Sequence, residues 1–127
     1  MEDSKTESVI TIKAYAFALN VIKLYKFLVN EKREYVLSKQ LLRSGTSIGA
    51  NVNEAQSGQS KRDFVHKLSI SLKEARETTY WLNLLKDSGY IESEQFIGLN
   101  KECSDITKIL SSIILTTKEK YFNKINS

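Results

Sequence analysis

The sequence predicts an all-α protein, an up-down-up-down antiparallel four-helix bundle. Three observations point to it. Apolar residues recur at alternating intervals of four and three in four separate segments, the spacing that places them on one helical face. The chain has 127 residues, only 5 Gly and no Pro, so little interrupts long helices. The segments are joined by short polar turns, which bring successive helices side by side in opposite directions. Period-two alternation is nowhere sustained, so no strand is predicted. No internal repeat and no low-complexity segment is present.

Residues 1–8 read as a disordered leader, residues 9–122 as the bundle and residues 123–127 as a tail. The first helix is expected over residues 9–32, with Ile10, Ala14, Phe17, Val21, Leu24 and Leu28 as its seam. A second seam, Tyr15, Ala18, Ile22, Tyr25 and Val29, runs beside it. Ile12, Leu19 and Phe27 lie outside both. An isolated bundle helix needs one apolar stripe, so this one should bury part of its surface against another subunit. Charged residues 31–34 form a turn. The second helix is expected from Ser38, as N-cap, to Gln56. After the Ser57-Gly58-Gln59 break, Ser60 to Asp63 has the S-x-x-D pattern of a capping box. The third helix then runs to about Ser88, with Phe64, Leu68, Ser71, Ala75, Thr78, Leu82 and Leu85 as its seam. Gly89 serves as its left-handed stop. Ser93 is expected to cap the fourth helix, whose seam is Phe96, Leu99, Cys103, Ile106, Leu110 and Ile113, widened by Ile109 and Ile114.

The second helix is unusual. The run Q-L-L-R-S-G-T-S-I-G-A-N-V-N-E-A over residues 40–55 carries Gly45 and Gly49, each costing roughly 1 kcal/mol relative to Ala in a helix interior. Leu41, Ser44 or Gly45, Ile48, Val52 and Ala55 make a thin apolar face. Gln40, Ser44, Ser47, Asn51 and Glu54 make a polar stripe beside it. Small residues admit a close neighbour, and polar groups beside a seam need partners. Two readings stand: a tightly packed bundle helix with satisfied polar contacts, or that and a nucleic-acid or partner surface as well. Arg43, Ser47, Asn51, Glu54, Glu74 and Glu77 are assigned to an inter-helix polar network, with Arg43 as partner of the two glutamates on the third helix.

The composition excludes several classes. Hydrophobic residues make up 41% and charged residues 27%, an ordinary globular balance. No apolar run is long enough for a membrane span. The acidic, polar start is unlike a signal peptide, and a cytoplasmic location is expected. The one Cys, Cys103, excludes an internal disulfide and falls in a seam, so it reads as a buried thiol. There is one His and no Gly-rich phosphate loop. Asp63-x-x-His66 is the nearest approach to the paired Glu-x-x-His motifs of a bundle metal site, and it occurs once. No enzyme activity, cofactor or metal is expected.

Binding chemistry gathers on the third helix. Arg62, His66, Ser69, Lys73, Arg76 and Tyr80 share one face, flanked by Lys61 and Lys67. Arg62 lies about 160° round the helix from Phe64, so this stripe points away from the core. Its basic groups suit phosphates and Tyr80 suits base stacking, although many charge stripes are simply solvated. The net charge of +4 permits nucleic-acid contact without requiring it. Trp81 sits off the seam, either as a lid over the second helix's glycines or, as favoured here, as an oligomer-interface anchor with Tyr15, Ile22, Tyr25 and Phe27.

The 40–55 run, followed by S-K-R-D-F-V-H-K-L-S-I-S-L-K-E-A-R-E-T-T-Y-W-L, resembles the bacterial four-helix-bundle proteins encoded in 23S ribosomal RNA intervening sequences, often labelled S23 ribosomal proteins. That family includes the accessory variability determinant (Avd) proteins of diversity-generating retroelements. The resemblance spans residues 10–122 and is most specific at Arg43-Ser44, Ser47-Ile48, Asn51-Val52 and Glu54. Ala55 stands where the family carries Gly, with Gly58 slightly later. The resemblance implies a homopentameric ring with a basic surface. In retroelement members that surface binds nucleic acid and a reverse transcriptase. Together these readings give a non-enzymatic oligomeric accessory protein that binds nucleic acid, RNA favoured. The alternative is a protein-interaction scaffold ring that does not bind nucleic acid directly.

Overall fold

The four seams fold as four helices: α1 (Glu2–Asn30), α2 (Leu37–Gln56), α3 (Lys61–Asp87) and α4 (Ser93–Tyr121). The computed structural model describes residues 2–122, with side chains from residue 9 onward. Each helix packs on its neighbours in the chain, and α4 closes the square against α1. The directions are antiparallel. Along α2 and α3, Ser44 meets Thr78, Ile48 meets Ser71, and Glu54 meets Lys67. No helix among the described residues is long and apolar enough to cross a membrane.

The core consists of the seams as the sequence spaces them. Ile10, Ala14, Phe17, Val21, Leu24 and Leu28 of α1 are buried, as are all the expected α3 positions. On α4 the exceptions are Phe96 and Ile109, only partly buried; the Lys86 ammonium lies 4.1 Å from the Phe96 ring centre. The second α1 seam is half-buried at Ala18, Ile22, Tyr25 and Val29, while Ile12 and Tyr15 are each 68% exposed and Leu19 is 46% exposed. Phe27 packs partly against the chain's own core.

Gly45 of α2 is explained by α1. A Cβ on Gly45 would fall 2.8 Å from both methyl carbons of Val21 and 3.2 Å from its Cβ. The branched valine has little rotamer freedom to yield, so only Gly fits. A Cβ on Gly49 would meet the Ala14 backbone at 3.5 Å, an ordinary contact. The lid over the glycines is therefore α1, not Trp81.

Three helix boundaries differ from the sequence-based expectation. Residues 2–8, expected as a leader, are helical and extend α1 backward; the segment has neither Gly nor Pro to stop propagation. Met1 and the expected tail, residues 123–127, lie outside the described residues. Ser38 does not cap α2. The cap comes from Glu34, whose carboxylate accepts from the N–H groups of Val36 at 3.1 Å, Leu37 at 2.9 Å and Ser38 at 2.7 Å. The longer side chain reaches over from the turn, and Ser38 instead donates its hydroxyl to the Glu34 carbonyl at 2.8 Å. Glu34 also ends α1, because its own N–H reaches the Leu28 carbonyl at 3.0 Å, with Arg33 at φ 55° making the turn. Similarly, Glu92 rather than Ser93 caps α4, in a reciprocal box with Gln95. Ser60 does cap α3, accepting from the Asp63 N–H at 3.0 Å. Gly89, at φ 84°, lets the Tyr90 N–H reach the Leu85 carbonyl at 2.9 Å, the left-handed stop that ends α3.

Burial pushes the Glu34 carboxyl up, but the Leu37, Ser38 and Val36 N–H groups outweigh it and hold it below its ordinary value of 4.5. A depressed carboxylate contributes stability that is fully present above that ordinary value and is lost as pH falls through the folded-state value. Glu34→Ala should therefore destabilise the fold by about 1–2 kcal/mol at neutral pH. Urea denaturation of wild type and variant from pH 7 to about 3 should show the gap closing on acidification; a pH-independent gap would contradict this role. In the same assay Gly45→Ala should destabilise by about 1–3 kcal/mol through overpacking, and Val21→Ala in that background should recover part of the loss. Gly49→Ala should be neutral or up to about 1 kcal/mol stabilising. Equal stability of the two single glycine variants would refute the close-approach account.

A candidate nucleic-acid interface on α3

The α2–α3 seam decides which α3 side chains remain available. Ser71 donates its hydroxyl to the Ile48 carbonyl at 2.8 Å, a cross-helix bond to the backbone of α2. The Thr78 hydroxyl lies 2.9 Å from that of Ser44 and 2.8 Å from the Glu74 carbonyl. At the rim, the Arg43 guanidinium spans one helical turn of α3. Its Nη1 is 3.3 Å from Glu74 Oε2 and its Nη2 is 2.5 Å from Glu77 Oε1. Glu54 pairs with Lys67 at 3.1 Å.

Of the residues assigned to the polar network, Arg43 pairs with Glu74 and Glu77, and Glu54 pairs with Lys67 from outside it, while Ser47 and Asn51 do not donate across the seam. The Ser47 hydroxyl donates to the Arg43 carbonyl at 2.6 Å, and the Asn51 amide donates to the Ser47 carbonyl at 2.9 Å, both within α2. A short polar side chain in a helix finds the carbonyl one turn back before it reaches a neighbour. The cross-helix hydroxyls that sequence reasoning missed are Ser71 and Thr78. Their signal was present: two hydroxyl residues seven apart in an otherwise apolar seam.

This pairing leaves α3 with separated charges. Glu74 and Glu77 are turned to Arg43. Arg62, His66, Lys73, Arg76 and Tyr80 are exposed on the face turned away from the core, and Glu77, four residues after Lys73, borders that stripe but is paired with Arg43. Lys67, expected to flank the stripe, is half-buried and faces Glu54 instead. Lys61 and Arg62 meet the end of α4. The Lys61 ammonium lies 5.6 Å from the Phe64 ring centre and 4.8 Å from that of Tyr121, and the Arg62 guanidinium 5.6 Å from that of Phe122. From Arg62 to Tyr80 the stripe is about 27 Å long by helical rise.

Trp81, expected at an oligomer interface, is partly buried against the chain's own core. Tyr80 meets it edge-on, with ring centroids 5.1 Å apart at 73°. Its indole Nε1 is buried without a hydrogen-bond partner among the described residues. Outside α3, a groove of about 360 Å³ between α1 and α2 is lined by Tyr15, Leu19 and Ile22 on one wall and Gly49 and Ala50 on the other.

Cys103 is buried, and it donates to the Ala75 carbonyl at 3.3 Å. Burial pushes its thiol above its ordinary value, against a smaller opposing effect of the Thr79 hydroxyl. A thiol in that state is a poor nucleophile. Asp63 and His66 gather no further ligands: among the described residues no group of three or more His, Cys, Asp or Glu side chains could hold a metal ion.

Comparison with known proteins places this architecture. No curated protein matches the chain. A crystal structure at 1.70 Å resolution, of a protein described as of unknown function from the S23 ribosomal protein family of Bacteroides thetaiotaomicron, superimposes with a TM-score of 0.85. It is 53% identical, and the match covers 86% of this chain and 97% of that one. The model of the 23S rRNA-intervening sequence protein family matches residues 6–112. The chain therefore belongs to the 23S rRNA-intervening sequence protein family.

Proposed function

We propose that this chain is a non-enzymatic, oligomeric accessory protein that binds nucleic acid, RNA before DNA, through the outer face of α3. One observation supports the reading: Arg62, Lys73 and Arg76 stand exposed on the outward face of α3, while the bordering carboxylate, Glu77, is engaged by Arg43. Uncompensated cations in a row attract a phosphate backbone by releasing its counterions. Lys61 and His66 extend the same surface. Assembly multiplies the +4 of each chain, and weak contacts repeated round a ring gain avidity.

The exposed residues Ile12, Tyr15 and Leu19, beside the α1–α2 groove, support self-association. A homopentameric ring is the assembly we favour, as the resemblance implies, with a reverse transcriptase as a candidate second partner. The same apolar surface also favours the scaffold reading, in which the ring recruits protein and does not touch nucleic acid. Salt separates the two, since phosphate contacts weaken steeply as it rises and apolar docking does not.

Changing Arg62, Lys73 and Arg76 together to Ala should weaken binding of a structured RNA and flatten the slope of log affinity against log salt by about 2–3 units, roughly 0.7–0.9 for each phosphate contact removed. Unchanged affinity and slope in a folded variant would remove these residues from the site. Light scattering should find wild type at about five times the 14.5 kDa chain mass, and Tyr15→Glu with Leu19→Glu should reduce it to the single-chain mass. A monomeric wild type would refute the assembly.

A further inference from the structure

An aromatic ring stands at each end of the basic stripe. At one end Tyr80 is 58% exposed, and its edge-on contact with Trp81 holds its ring in place. At the other end, α3 begins where α4 finishes. There Tyr121 is 38% exposed, with the Lys61 ammonium 4.8 Å and the Lys120 ammonium 5.4 Å from its ring centre. A duplex turns its bases inward and would offer this surface only phosphates, leaving both rings idle. An unpaired strand presents phosphates and base faces together. Rings already held by their neighbours lose little freedom when a base stacks on them.

We propose that the α3 stripe, granted the nucleic-acid reading above, takes an unpaired strand in preference to a duplex. Phosphates lie along Arg62, Lys73 and Arg76, and one base stacks on Tyr80 and another on Tyr121. The span of about 27 Å corresponds to about eight nucleotides at the 3.4 Å rise of a stacked strand. Trp81 is the one tryptophan of the chain and touches Tyr80, so its emission reports directly on that end of the site.

The test uses the full chain with oligouridylate of about 12 nucleotides and an RNA duplex of the same length. The single strand should bind more tightly than the duplex. Tyr80→Leu and Tyr121→Leu should each weaken single-strand binding by about 5- to 100-fold and leave duplex binding unchanged. Tyr80→Phe and Tyr121→Phe keep the ring and should bind as wild type does. Saturation with oligouridylate should change Trp81 emission. Leucine variants that bind the single strand normally, equal affinity for strand and duplex, or static emission would each overturn the stacking proposal. If the Arg62, Lys73 and Arg76 triple variant nevertheless loses affinity, only the stacking proposal fails. No binding of either probe by wild type would remove the nucleic-acid reading as well.

Discussion

The outer surface of this bundle depends on where the carboxylates of α3 go, and Arg43 decides that. Its planar guanidinium spans Glu74 and Glu77, one turn apart, a reach a point-charge ammonium does not match. The pairs are partly solvated and add on the order of 0–1 kcal/mol each to stability. Their larger consequence is positional. Both acids are drawn to Arg43, so Glu77, which borders the outward face of α3, is paired away from Lys73, and Arg62, Lys73 and Arg76 stay exposed there. Fold and charge pattern therefore share one interaction.

That interaction needs α2 held close to both of its neighbours. On one side Gly45 lets Val21 of α1 come into direct contact. On the other, the Ser71 hydroxyl reaches the Ile48 backbone. Helix propensity is sacrificed at Gly45 so that α2 packs against α1. Glu34 sets where α2 begins, binding its first free N–H groups while closing the end of α1. The α2–α3 contact is accordingly the most extensive in the bundle, and the α1–α4 side is the slimmest. There Asn20 donates to the Glu102 carboxylate at 2.9 Å across the helices.

Much of this was legible in the sequence because burial follows period. The seam of α3 from Phe64 to Leu85 is buried at every expected position, small and polar members included. The Arg43 pairing was legible too, since a cation on the rim of α2 faces two acids three apart on α3. The caps were less so. Short side chains such as Ser38 and Ser93 are the usual caps, whereas here Glu34 and Glu92 act from positions that turn geometry alone determines. Long flexible side chains were the other limit. Lys67 shares its sequence neighbourhood with the basic stripe, yet it bends toward Glu54. Trp81 reads as a free anchor until the tertiary fold packs it against the core. Ile12, Tyr15 and Leu19 stay exposed on the single chain, although their apolar character reads as a buried seam.

The central claim, that the α3 stripe is the nucleic-acid surface, is tested most directly by lysine acetylation footprinting read by mass spectrometry, with and without bound RNA at low salt. Lys61 and Lys73 should lose reactivity when RNA is present, and Lys23, Lys26 and Lys39, exposed on α1 and α2, should not. Protection centred on those α1 and α2 lysines, or none at Lys73 in a complex shown to form, would contradict the account.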